Sequence, residues 1–198
     1  MRALFLVVLL LAGIFSTNTV LADPFSRFQS QYAGQEQRDI KSLSENDIKE
    51  LSRGAGWGFA KAAELNGMPG PKHLLEMKQE IGLSPKQEQA IKDLFTSMEK
   101  RAVEAGRQFI NLEKELNTGF ARKTIDEPGL RNLLEKISRK RMELRLIHLS
   151  AHLKTPEILS EAQIEKYNEL RGYFSADPCL NVPKGHDPEM WRRHNNCE

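Results

Sequence analysis

The chain has 198 residues, with 29 basic and 27 acidic side chains and a formal net charge of +2. That balance excludes bulk electrostatic attraction to nucleic acid as the basis of its activity. With only two cysteines, Cys179 and Cys197, the main body cannot rest on a disulfide framework, and 7% aromatic against 28% charged residues favours thin helical packing over a thick core.

Met1-Arg2-Ala3 is followed by an apolar run from Leu4 to Ile14 and by small residues ending at Ala22. A positive start, a short apolar stretch and a small-residue cleavage position predict a cleaved secretory signal over 1–22 rather than a membrane span, which needs about 20 apolar residues. The remainder carries no integral membrane segment and is expected to be exported. Its charge drops to about +1 once Arg2 is removed, and its 176 residues suffice for one domain. Residues 23–42 are polar and aperiodic and read as an extended arm.

Helix-start signals recur along the body. Leu43-Ser44-Glu45-Asn46-Asp47, Leu83-Ser84-Pro85-Lys86-Gln87 and Leu159-Ser160-Glu161-Ala162-Gln163 each place a serine three residues before an acid or a glutamine. The serine hydroxyl accepts from an N–H of the first turn while the later side chain accepts from the serine's own N–H, which is a capping box. The first predicts a short helix from Ser44 to about Arg53. Gly54, Gly56 and Gly58 then bracket Trp57, and a second small helical piece covers Phe59 to Leu65. After the turn Gly67-Met68-Pro69-Gly70-Pro71, a further helix runs through His73 and Met77 to a stop at Gly82.

From Ser84 the apolar residues Ile91, Phe95, Met98, Ala102, Ala105, Phe109, Leu112, Leu116 and Phe120 fall four and three apart. That heptad seam predicts a helix of about 37 residues and about 55 Å, and hence an elongated molecule. Thr124 to Gly129 breaks it. A second long helix from about Leu130 to His152 carries the stripe Leu130, Leu133, Leu134, Ile137, Leu144, Ile147 and Ala151. The short connection makes the pair an antiparallel hairpin. The last capping box opens a helix to Tyr173, and residues 175–198 form a Pro-, Gly- and Asn-containing tail. No strand pattern is found, so the fold class is all-α: an elongated antiparallel long-helix hairpin with shorter flanking helices over 43–174.

The two glutamine boxes, in an exported helical chain with a long hairpin between them, resemble the LTxxQ-motif proteins of the bacterial periplasm, the Spy/CpxP family, over about residues 40–173. Serine stands here for the usual threonine; both hydroxyls cap. The resemblance implies a periplasmic location and a homodimer that holds unfolding proteins without ATP or regulates an envelope stress response. Its relatives include zinc-resistance-associated and heavy-metal-sensing proteins. The basic residues Arg131, Lys136, Arg139, Lys140, Arg141 and Arg145 crowd one helix. A cationic face with aliphatic stems can attract acidic unfolded segments and then cover apolar ones, although solvated pairing along the helix is an equal reading. Trp57 and Trp191 are contact points for a partner or anchors for their own segments.

His148 and His152 stand one turn apart and within reach of a single zinc or copper ion, but two histidines are half a site. The tail adds Cys179, His186, Asp187, Met190, His194 and Cys197 as further ligands. A disulfide between the cysteines and interhelical hydrogen bonding by the histidines weigh against metal, so no cofactor is expected. No phosphate loop, nucleophile elbow or HExxH motif occurs, and no enzymatic activity is expected. The favoured function is surface binding of unfolded or envelope proteins, with metal sensing and a structural interaction module as alternatives.

Overall fold

The computed structural model describes residues 28–173, Cys179, Val182 and 187–197. The expected leader at 1–22 and the tail residue His186 lie outside them. Two units divide at Glu36 and Gln37. In the first, residues 28–36 make turns, with the Tyr32 N–H donating to Ser30 Oγ at 3.1 Å.

Among the described residues the α-helices all lie in the second unit, and no strand occurs. Its leading segment is not the extended arm that polar composition suggested. After a 3-10 turn at Gln35–Gln37 the chain bends, and Ile40 and Leu43 are each 3% exposed. The Asn117 amide holds this stretch, donating to the Asp39 carbonyl and accepting from the Lys41 N–H. Two apolar residues among many polar ones are enough, because burying each contributes about 1.5–3 kcal/mol.

Among the described residues eight α-helices follow. The first four are short: α1 (Glu45–Ser52), α2 (Lys61–Glu64), α3 (Pro71–Glu76) and α4 (Lys78–Ile81). The expected single helix from Pro71 to Gly82 is broken at Met77, the end of α3 and the start of α4, whose side chain packs into the core there. The long pair is α5 (Pro85–Ala121) and α6 (Glu127–Lys154); α7 (Glu161–Arg171) and α8 (Pro188–His194) complete the chain.

Starts and stops follow local chemistry. Ser44, Ser84 and Ser160 each form the full capping box. Gly82 and Gly172 end α4 and α7 at φ of 70° and 68°. α6 begins three residues before the expected Leu130: the Asp126 carboxylate accepts from the Gly129 N–H at 2.9 Å, and Pro128 fits the first turn, where its missing N–H costs nothing.

Two cores form. The larger fills the hairpin and its contact with α1, using Leu51, Met98, Ala102, Ala105, Phe109, Leu133, Ile137, Leu144 and Ile147. The smaller lies where α3, α4 and α7 meet the start of α5, around Leu74, Ile81, Ile91 and Tyr167. The hairpin seam weakens toward its tip: Phe120, expected in it, is 57% exposed, and Leu134 is 44% exposed because it sits about 100° around α6 from buried Leu133. Gly106 is where α1 crosses α5. A methyl there would run into the Leu51 carbonyl oxygen.

Candidate functional site

The two Leu-Ser-x-x-Gln boxes, 76 residues apart, meet side chain to side chain. Gln87 Nε2 donates to Gln163 Oε1 at 2.8 Å, and Gln163 Nε2 donates back to Gln87 Oε1 at 3.1 Å. Each second amide hydrogen goes to a carbonyl two residues before the other box's serine: Gln87 to Ile158 O at 2.9 Å, Gln163 to Gly82 O at 3.1 Å. Each Oε1 also accepts its own serine's N–H at 3.0 Å. Both amides are thus satisfied by a reciprocal clasp joining the start of α5 to the start of α7, with Leu83 and Leu159 packed into the smaller core beneath. A glutamate could cap its own helix but could not donate. Reading each box separately misses this; the surplus donor on each glutamine was the available signal.

Beside the clasp, a carboxylate absent from the sequence reading ties together three helices, α2, α6 and α7. Glu64, on α2, accepts at Oε1 from Tyr167 Oη (2.6 Å), Tyr173 Oη (3.0 Å) and Arg171 Nε (3.2 Å). Its Oε2 lies 3.8 Å from His152 Nδ1. Burial and then the Glu64 carboxylate push the Tyr167 phenol well above its ordinary range. Gly70 closes the cradle: a Cβ there would sit 2.9 Å from His152 Cε1 and 3.3 Å from Glu64 Oε2. The sequence hint was a single acid inside the small-residue run Ala62-Ala63-Glu64-Leu65, with Tyr167 and Arg171 one turn apart on α7.

His148 and His152 share the inner face of α6, 3% and 6% exposed. His152 Nδ1 lies 2.9 Å from the Met68 carbonyl, which only accepts, so Nδ1 donates. His148 Nε2 is buried without a hydrogen-bond partner. Burial, reinforced by His152, lowers the His148 pKa to about 4. The imidazole stacks on Phe59 at 6.1 Å between centroids. Among the described residues no group of three or more His, Cys, Asp or Glu side chains is placed to hold a metal ion.

The six basic residues do not form one face. At 100° per residue Arg131, Arg139 and Arg145 point outward, whereas Lys136 and Lys140 flank α5 and Arg141 faces the opposite flank. Arg131 pairs with Glu127 and Arg139 with Glu135, each at 3.3 Å, and Lys140 with Glu143 at 2.6 Å. The Arg141 guanidinium lies 5.1 Å from the Trp57 ring centroid, a cation–π contact that joins two residues read as separate candidates. Trp57 also donates Nε1–H to Asp47 Oδ1 at 2.7 Å and packs on Phe59 and Phe109. Burial alone would raise the Asp47 pKa, but the bonds from Ser44 and Trp57 outweigh it and hold the carboxylate low.

The outward side of α6 carries Met142, Leu146 and Leu153, 56% to 63% exposed, beside the outward arginines. In the tail, Cys179 and Cys197 form a disulfide. Asp187 caps α8, a helix not read from the sequence, by accepting from the Glu189 and Met190 N–H groups.

Two serine-capped helix starts clasped by their glutamines at the base of a helical hairpin define a class of motif-bearing, all-helical proteins. The chain belongs to the LTXXQ motif family: the model of that family matches residues 71–171, from α3 through α7, just over half of the chain. No curated protein and no solved structure matches it. Proteins of this family are generally periplasmic, and among the described residues no helix is long and apolar enough to cross a membrane.

Proposed function

We propose that the protein is a periplasmic, ATP-independent chaperone or envelope-stress regulator that acts by surface binding, as a homodimer, and without a catalytic step. One observation carries this reading: the outward face of α6 combines exposed Met142, Leu146 and Leu153 with Arg131, Arg139 and Arg145. Long-range attraction by the arginines brings in acidic unfolded segments, and the aliphatic side chains then cover apolar stretches. Family membership and the capped hairpin that holds α6 rigid support it further.

The test is suppression of aggregation. A denatured acidic client diluted into low salt should scatter less light in the presence of an equimolar amount of protein, and the Arg131→Glu, Arg139→Glu, Arg145→Glu triple variant should lose most of that protection. Equal protection by the variant, or none by the unaltered protein, would count against the reading.

A further inference from the structure

A cleft of about 480 Å3 opens between the glycine-bracketed segment around Trp57 and the inner sides of α5 and α6. That volume is in the range of small-molecule sites. Three independent features make it more than a packing gap. Trp57 holds a φ of 41°, a left-handed conformation that a bulky residue adopts only when its surroundings enforce it. His148, 3% exposed, lines the cleft with its Nε2 unpartnered. A buried polar nitrogen without a partner costs about 1–3 kcal/mol, a cost that a bound hydroxyl would offset. Arg53 and Lys61 stand at the cleft and make no ion pair among the described residues.

We propose that this cleft binds a small hydroxylated aromatic acid, whose hydroxyl pairs with His148, whose ring lies among Trp57, Phe95 and Met98, and whose carboxylate meets Lys61 and Arg53. A hydroxyl suits either tautomer of a neutral imidazole, because it both donates and accepts. The aromatic and thioether walls favour a flat ring over a branched aliphatic one. Arg53 and Lys61 favour an anion at their end of the cleft, outnumbering Glu99, the lining carboxylate that also makes no ion pair among the described residues. Trp57, Lys61 and Arg53 precede the family match at residue 71, while Phe95, Met98 and His148 lie within it, so the cleft joins the family's hairpin to a segment outside that match. The inference stands apart from the surface-binding function, since the outward face of α6 takes no part in it.

The test is an NMR titration of the full mature chain with 4-hydroxybenzoate, following the imidazole nitrogens of His148 and the Trp57 indole N–H. Saturable shifts of both, with a midpoint below about 1 mM, are expected. Lys61→Glu should weaken binding by about tenfold, and His148→Phe, which keeps a ring on Phe59, should weaken it at least as much. Benzoate, lacking the hydroxyl, and phenol, lacking the carboxylate, should each bind more weakly than the parent. Absence of saturable shifts, or binding equally tight in Lys61→Glu and for benzoate, overturns the proposal; Lys61 is exposed, so that variant cannot fail merely by misfolding.

Discussion

At the residue scale the decisive atoms are amide and imidazole nitrogens. Gln163→Glu leaves an acceptor for the Ser160 N–H, yet it sets a carboxylate against Gln87 Oε1 and leaves the Gly82 carbonyl without its donor. Gln87 cannot flip to compensate without giving up its own cap on Ser84. Urea unfolding should therefore show Gln163→Glu less stable by about 2 kcal/mol, although glutamate is an ordinary capping-box residue. His148 makes stability depend on pH. Its pKa is about 4 when folded, against an ordinary 6.5. Above pH 6.5 both states are neutral. As pH falls toward 4 the unfolded chain takes up a proton that the folded chain refuses, and about 3 kcal/mol of stability is lost. Denaturation midpoints measured from pH 7 to pH 4 should fall in the unaltered protein and fall less in His148→Leu. Glu64→Gln should also destabilise the fold, because Arg171 would lose its carboxylate partner in a half-buried site.

At the element scale, α1 is held on α5 by close backbone approach as well as by the buried Leu51 side chain. Gly106 lets α1 lie directly on α5, and Gly54, just past the end of α1, approaches the same helix, where a Cβ would come within 2.9 Å of the Glu99 carbonyl. Gly106→Ala should cost about 1–3 kcal/mol, read from the thermal midpoint, because neither backbone can yield without disturbing the buried Leu51 and Phe109. The helices themselves were largely legible: serine caps, Pro at first turns and the four-three seam place α1, α5, α6 and α7 to within a few residues. The failures have separate causes. Asp126 and Asp187 cap α6 and α8 just ahead of a proline in the first turn, inside stretches whose break in apolar period hides the start signal. Phe120 satisfied the period but lies at the tip, where the seam opens, whereas Leu134 sits about 100° off the stripe that buries Leu133. The Glu64 cradle was hard to read because its partners come from residues about 100 positions away, and the local hint, one acid in a small-residue run, does not say what it meets.

At the scale of the whole molecule, function is read from what the fold leaves outside. The inner side of α6 is consumed by the core, by His148 and by the cradle, so the face proposed to bind clients is the remaining side. Protection of an acidic client should weaken as salt rises toward about 0.5 M, where charges farther apart than a few ångströms no longer attract one another. If apolar contact alone were responsible, added salt would leave protection unchanged or strengthen it. The clasp between Gln87 and Gln163 has a consequence for the path by which the chain folds. Closing a 76-residue loop in an unstructured chain costs about 4 kcal/mol of entropy, whereas zipping α6 onto α5 from the tight turn at the tip proceeds through short closures. The clasp therefore forms after the rate-limiting step. Removing it should accelerate unfolding while leaving the refolding rate nearly as it was, the kinetic signature of a latch.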